Sequence, residues 1–280
     1  MTPSSTRAAP AKSPVRAKAA KAAQHPAPRP APPEPAEAPV RKRGRPSRAS
    51  GDAQPGGATM LSREQILDRA TILAKVEPLG EISMVGLARE LGVAPTLIHY
   101  YVGSRDDLIS GVLNRYFKER LARMPPLTGD WREDLRREAM ESYRLGLEYG
   151  GVLRYAMSHN RFRLFQRVTE GEKDYGVLYL DRMAGIFRTG GFTPKQAAIG
   201  YHLMAQFVMT SSYAEVSRQL PAFHENYILR QIQAHPEDEL PGAHYFIEAF
   251  STLDSDTAFP EGLRLLIESF AGWLKKPARK

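Results

Sequence analysis

The residues with the most chemistry to offer stand close together. Thr96 follows Pro95, and His99 and Tyr100 stand three and four residues beyond Thr96. Such spacings put side chains on one face of a helix. A hydroxyl, an imidazole and a phenol on an outward face suit the edges of base pairs in a major groove better than bulk solvent. Catalytic chemistry is harder to assemble. The chain has no Gly-rich phosphate loop, no H-E-x-x-H and no G-x-S-x-G. It has no cysteine, which excludes disulfides and thiolate ligation. His159, His202, His224 and His235 are scattered rather than set at metal-ligand spacing. The acidic pairs, Glu148 among them, read as solvated helix faces. We therefore expect no catalytic residue, no metal and no cofactor.

Two short helices must position the outward groups. Ser83 is placed to cap the first, and Gly92 to end it. Pro95 suits the first turn of the second. Where the two helices cross, the small Ala88 permits close approach. Four residues on, Gly92 tolerates the positive φ of a tight turn. Leu87, Leu91, Val93 and Ile98 fill the small core between them. The alternative is an ordinary helical hairpin, but the outward aromatics favour a helix-turn-helix over residues 83–101. Around it, Ser62-Arg63-Glu64-Gln65 forms a capping box for an earlier helix, and Ser104 caps a later one over 104–123. Pro125-Pro126 then breaks the chain.

The stretch Leu87-Ala-Arg-Glu-Leu-Gly-Val-Ala-Pro-Thr-Leu-Ile-His-Tyr-Tyr-Val-Gly-Ser-Arg-Asp-Asp-Leu-Ile109 resembles the signature of TetR/AcrR-type repressors. The close likeness covers about residues 61–124. The remainder, closing on Phe259-Pro-Glu-Gly-Leu-Arg-Leu-Leu-Ile, is similar to the C-terminal domain of the tetracycline-repressor branch. The resemblance implies that Pro95, Thr96, His99 and Tyr100 read base edges, and that Tyr101, Ser104 and Arg105 lie where the family meets phosphate. Three departures stand out: His99 where the family has Tyr, Val102 where it has Phe, and Arg105 where it has Lys. Arg105 keeps the charge; His99 is placed to alter operator preference.

The charge is unevenly spread. Residues 1–60 carry 11 Lys and Arg against 3 Asp and Glu, so the whole excess of +8 lies there; the other 220 residues hold 28 of each sign. Residues 1–58 are rich in Ala and Pro with hardly a large apolar side chain, a composition that cannot offset the entropy of ordering. They read as a disordered basic tail aimed at a polyanion. Within it Arg41, Lys42, Arg43, Gly44, Arg45, Pro46 and Arg48 look like an AT-hook core. There, glycine lets the backbone lie deep in a narrow minor groove whose potential attracts arginine. A flexible linker from Arg45 to Arg63 spans roughly 20–25 Å r.m.s.. A sequence-blind basic tail is the equal alternative. Met60 directly precedes the first helix start, so a beginning at Met1 or at Met60 stays open.

The expected architecture is all-α: tail 1–58, a three-helix helix-turn-helix domain over 59–124, and a larger helical effector-binding and dimerisation domain over 125–280. Asp130-Trp131-Arg132-Glu133 resembles a further capping box. Its helix is expected to stop at Gly150-Gly151, and another, near Asp174–Thr189, at Gly190-Gly191. Thr193-Pro194-Lys195-Gln196 opens a helix to about Gln219. That helix is apolar nearly all round, through Ile199, Leu203, Met204, Phe207 and Val208, so it should be buried on more than one side. Phe259, Leu263, Leu266, Phe270 and Trp273 form a stripe on the last helix. Tyr143, Met157, His159, Met183, His202 and Phe207 are candidates to line an effector pocket between helices. The resemblance implies a homodimer through the last two long helices, a palindromic operator of double-stranded DNA, repression, and an unnamed small-molecule effector. No apolar run reaches about 18 residues, so no membrane span is expected; a cytoplasmic bacterial regulator is. An architectural DNA-binding protein without an effector is the rival reading.

Overall fold

Capping chemistry sets the helix boundaries. The computed structural model describes residues 61–158 and 167–275. The tail with its AT-hook-like segment, Met60 and His159 lie outside the described residues. Ser62 caps α1 (Arg63–Leu73), and Gln65 returns a bond to the Ser62 amide. Ser83 caps α2 (Met84–Glu90) by accepting from the Gly86 amide at 2.9 Å. Pro95 opens α3 (Pro95–Val102), and Ser104 with Asp107 makes the box that opens α4 (Arg105–Arg123). Then follow α5 (Trp131–Glu148), α6 (Gly150–Ser158), α7 (Tyr175–Thr189) and α8 (Pro194–Val216), the last opened by the expected Thr193–Gln196 box. A 3-10 turn, Pro221–His224, leads into α9 (Glu225–Gln233), α10 (Pro241–Ser251) and α11 (Ser255–Lys275). Among the described residues every regular element is helical.

One expectation is corrected. Asp130 caps α5 through the Arg132 amide, but Glu133 does not complete a box; it pairs with Arg136 instead. The buried Asp134 secures this helix start, accepting from the Thr128 amide and hydroxyl and the Gly129 amide. As expected, α5 stops just before Gly150-Gly151. The chain turns at Tyr149 and α6 begins at once. Gly151 is there for close approach: a Cβ would lie 1.9 Å from the Glu77 carbonyl oxygen. The turn after α1 and the start of α6 exchange backbone bonds, Leu79 N–H to Gly151 and Val152 N–H to Ala74. Helix α8 packs on α5, α6, α7 and α11 and so is buried on more than one side as expected, though not all round. Gly200, Met204, Val208 and Ser212 are buried, whereas Ile199, Leu203 and Met209 are exposed. The helices α9 and α10, which the hydrophobic pattern did not single out, pack chiefly on each other and on the 3-10 turn.

Two cores result. One joins α1 to α4 around Ile66, Leu87, Ile98 and Leu108, and reaches into the later helices through Leu145, Tyr149, Val152 and Tyr155. The other lies among α5, α7, α8 and α11 around Leu135, Met183, Phe187, Leu263 and Phe270. Helix α4 contributes to both. Its buried Asn114 donates to the Lys173 carbonyl and accepts from the Tyr175 amide, which fixes α4 to the start of α7.

Candidate nucleic-acid interface and ligand cavity

The turn between α2 and α3 is closed by the backbone. Gly92 sits at φ +66°, its amide donates to Arg89, and the Val93 amide reaches back to the Ala88 carbonyl at 2.9 Å. This Schellman arrangement satisfies the helix-end carbonyls and turns the chain sharply into α3. Ala88 is almost fully buried at the crossing, as its small size requires. Ile98 and Val102 hold α3 to the core. Its opposite face carries Pro95, Thr96, Leu97, His99 and Tyr100, all exposed, with Tyr100 at 80%. His99 Nδ1 donates to the Gly103 carbonyl at 3.1 Å, which leaves Nε2 facing outward. Tyr101 is half-buried and meets the Tyr100 ring edge-on at 5.2 Å. The Ser104 hydroxyl is engaged at 2.6 Å with Asp107, so its part here is the cap of α4. Arg105 is exposed in the first turn of that helix.

A cavity of about 350 Å³ lies between α4, α5, α6, α7 and α8. Of the candidates named for it, Met183 and His202 line it. Tyr143, Phe207 and Met157 do not. Tyr143 stacks on Phe259 at 4.1 Å and Phe207 on the same ring at 5.3 Å, so both are spent on joining α5 and α8 to α11. Met157 is exposed at the end of α6. The walls also use other residues, of which Tyr179 and Tyr201 were legible in the sequence as ring groups on the helices of this domain and the rest were not. Leu113, Phe117, Val152 and Val208 are apolar; Tyr116, Arg120, Ser142, Tyr179, Tyr201 and Gln206 carry polar atoms. The Arg120 guanidinium lies 3.9 Å above the Tyr179 ring, and its Nε and Nη2 donate to the Ser142 hydroxyl at 3.1 and 2.6 Å. Burial pushes the Tyr179 phenol up to about 12 and also raises Tyr116 and Tyr201. These phenols are neutral hydrogen-bonding groups at neutral pH. Beyond the cavity, Glu138 is paired with Arg182, which also donates to the Pro125 carbonyl.

Helix α4 relates the two sites. It begins directly after the exposed helix α3, and its third to fifth turns line the cavity. Near its end Arg123 bonds both Glu119 and Glu148, and Tyr149 donates to Glu119, so α4 and α5 are latched beside Arg120. Among the described residues no helix is long and apolar enough to cross a membrane.

Residues 125–271 match the family model described as tetracyclin repressor-like, C-terminal domain. An HTH-type transcriptional repressor of Mycobacterium tuberculosis is 34% identical over 80 residues, which is 28% of this chain and 31% of that protein. A transcriptional regulator of Mycobacterium bovis aligns to the same extent. The chain thus spans about a third of the length of these curated relatives. Apo ActR from Streptomyces coelicolor superposes with a TM-score of 0.62 at 25% identity, over 77% of this chain and 99% of ActR. The complex of ActR with (S)-DNPA gives 0.63 at 25% identity over 77% of this chain and 100% of that one.

Proposed function

Because the chain belongs to the tetracycline-repressor family, we propose that it is a ligand-responsive transcriptional repressor that binds a palindromic operator as a homodimer. The observation that carries this is α4, a single helix that borders the exposed recognition face of α3 at one end and lines the cavity at the other. Thr96, His99 and Tyr100 read base edges, with Pro95 setting the start of α3. Tyr101 and Arg105 meet phosphate, aided by the α4 N-terminus that Ser104 caps. His99, with Nδ1 committed to Gly103, offers Nε2 to the groove. A small molecule in the cavity favours a setting of α4 that spoils the spacing of the two recognition helices. Effector and operator then oppose each other by one coupling free energy. ActR, solved with (S)-DNPA, gives precedent for a ligand in this fold. The two-fold dimer uses the exposed face of α8, with α11 beside it, and places its recognition helices about 34 Å apart or somewhat more.

The test is fluorescence anisotropy with DNA from the upstream region of the chain's own gene, across salt, with and without residues 1–58. The expected result is saturable binding that outcompetes random DNA, survives truncation, and is lost with Thr96→Ala and Tyr100→Ala together. Weak, sequence-blind binding that disappears with the tail would put the architectural reading first. The same truncation tests the tail. If Arg41 to Arg48 read a minor groove, removing them costs more affinity on AT-rich than on GC-rich flanks; equal losses leave a sequence-blind basic arm.

A further inference from the structure

The cavity holds one permanent charge. Among the described residues that line it, no side chain is a carboxylate or a lysine, and Arg120 is the arginine. Arg120 is half-buried, and a guanidinium withdrawn from water ordinarily has a carboxylate partner, because an uncompensated charge inside a protein is costly. Arg120 has none within ion-pair distance among the described residues. Its Nε and Nη2 share one neutral hydroxyl, Ser142, and its face rests on Tyr179. Nη1 has no hydrogen-bond partner among the described residues and is not among the fully buried unpaired atoms, so it keeps some exposure on a residue that lines the cavity. The one buried carboxylate nearby, Glu138, is bonded to Arg182 and reaches Arg120 only through space.

We propose that the cavity takes a ring-bodied organic acid, its anionic group seated on the Arg120 guanidinium and its apolar body against Leu113, Phe117, Val152 and Val208. This rests on reading the cavity as the effector site. Five N–H donors in a planar fork match a carboxylate or sulfonate, and the pairing strengthens where water is excluded. The surrounding phenols, held neutral by burial, can donate to the same anion without repelling it. The volume, about 350 Å³, falls at the lower end of the range of small-molecule sites, which favours a body of a few rings over a long chain. An acid drawn to Arg120 competes directly with Ser142 of α5 and Tyr179 of α7 for the same guanidinium. The ligand thereby acts on the contacts by which α4 is held to its neighbours.

Matched probes test the charge alone: 2-naphthoate against 2-naphthamide, and anthracene-2-carboxylate against its carboxamide. Each is titrated calorimetrically into the full-length protein. The acid of each pair is expected to bind at least about 10-fold more tightly than its amide, a modest return for one charge-assisted pair. Arg120→Met should remove that preference while leaving amide binding and the far-ultraviolet helix signal in place; Arg120→Lys should keep part of it. Equal affinity for acid and amide, tighter binding of the amide, or an acid preference that survives in a folded Arg120→Met protein would overturn the proposal and leave the cavity standing as a ligand site. Should the Met variant not fold, the wild-type ratio and the Lys variant decide. If neither acid nor amide of either pair binds while the protein still holds its DNA, the effector-site reading fails and this inference with it.

Discussion

Gly92 and Gly151 are both small, yet each is small for a different reason, and substitution separates the reasons. Gly92 has φ +66° and open space where a Cβ would stand, so Gly92→Ala meets only the left-handed backbone penalty, about 1 kcal/mol. At Gly151 the backbone is ordinary, but a methyl group would enter the carbonyls of Ala74 and Glu77. Gly151→Ala must displace that turn and should cost about 2–3 kcal/mol. Urea unfolding of both variants checks the order; a Gly151→Ala loss no larger than that of Gly92→Ala would mean that α6 yields easily. The first requirement was legible in the sequence, because a turn needs glycine locally. The second was not, since its cause is 74 residues away in the chain; the same glycine read as a helix stop. Glu138 makes a second residue-scale prediction. Burial raises its carboxyl above the ordinary value near 4.5, against the opposing pull of Arg182. An acid raised in the folded state takes its proton there first, so stability gains as pH falls from the raised value towards the unfolded one. Glu64, held down by Arg115, and Glu148, held down by Arg123, act oppositely: their contributions are lost as pH falls through their folded values. Between neutral pH and a pH just above the ordinary carboxylate range the wild type should therefore gain stability relative to Glu138→Gln. Urea unfolding of the two at both pH values reads the difference, and a constant difference would refute it.

Helix starts were legible because a cap is a local bargain between a side chain and nearby amides. Ser62, Ser83, Ser104 and Thr193 each do as their sequence context requires. Cavity walls were not, because periodicity assigns a residue to a face without saying what the face meets. Tyr143 and Tyr179 are alike in type and both buried, but one stacks on Phe259 and the other turns to Arg120. Arg120 itself gave no signal: an arginine near a helix C-terminus is ordinarily a solvated cation. At the N-terminus of the same helix, Arg105 lends itself to a test of phosphate binding. It is exposed, so Arg105→Gln should leave stability within about 0.5 kcal/mol of wild type. It should weaken binding about equally on operator and random DNA, and lower the salt slope by about one for each phosphate no longer neutralised. Anisotropy titrations at several salt concentrations measure both. A weakening confined to the operator would instead make Arg105 a reader of bases.

At the scale of the whole molecule, the proposed dimer rests on α8. Its sequence is apolar on nearly every side, and one chain covers only half of it. Gly200, Met204, Val208 and Ser212 face inward, whereas Ile199 at 43%, Leu203 at 37% and Met209 at 37% stand exposed along the outer side. Leu265 adds a further exposed apolar group on α11, which packs beside α8. Leaving such a row in water forgoes roughly 25 cal/mol for each Å² that a partner would cover. In the proposed dimer a second copy meeting the same face about a two-fold axis would cover both rows at once and would also fix the separation of the two α3 helices. Leu203→Glu tests this without touching the interior, because Leu203 already meets solvent within one chain. The variant is expected to keep its helix signal and its unfolding midpoint per monomer, and to sediment as a monomer at micromolar concentration. A carboxylate buried against its own symmetry mate has no counter-charge. Binding to a two-half-site operator should then fall by about 100-fold or more, since the second recognition helix is no longer tethered to the first. Binding to a single half-site should hardly change. A variant that sediments as a dimer and keeps full operator affinity would move the interface off α8, and the spacing argument for α4 would have to be rebuilt on whatever face replaced it.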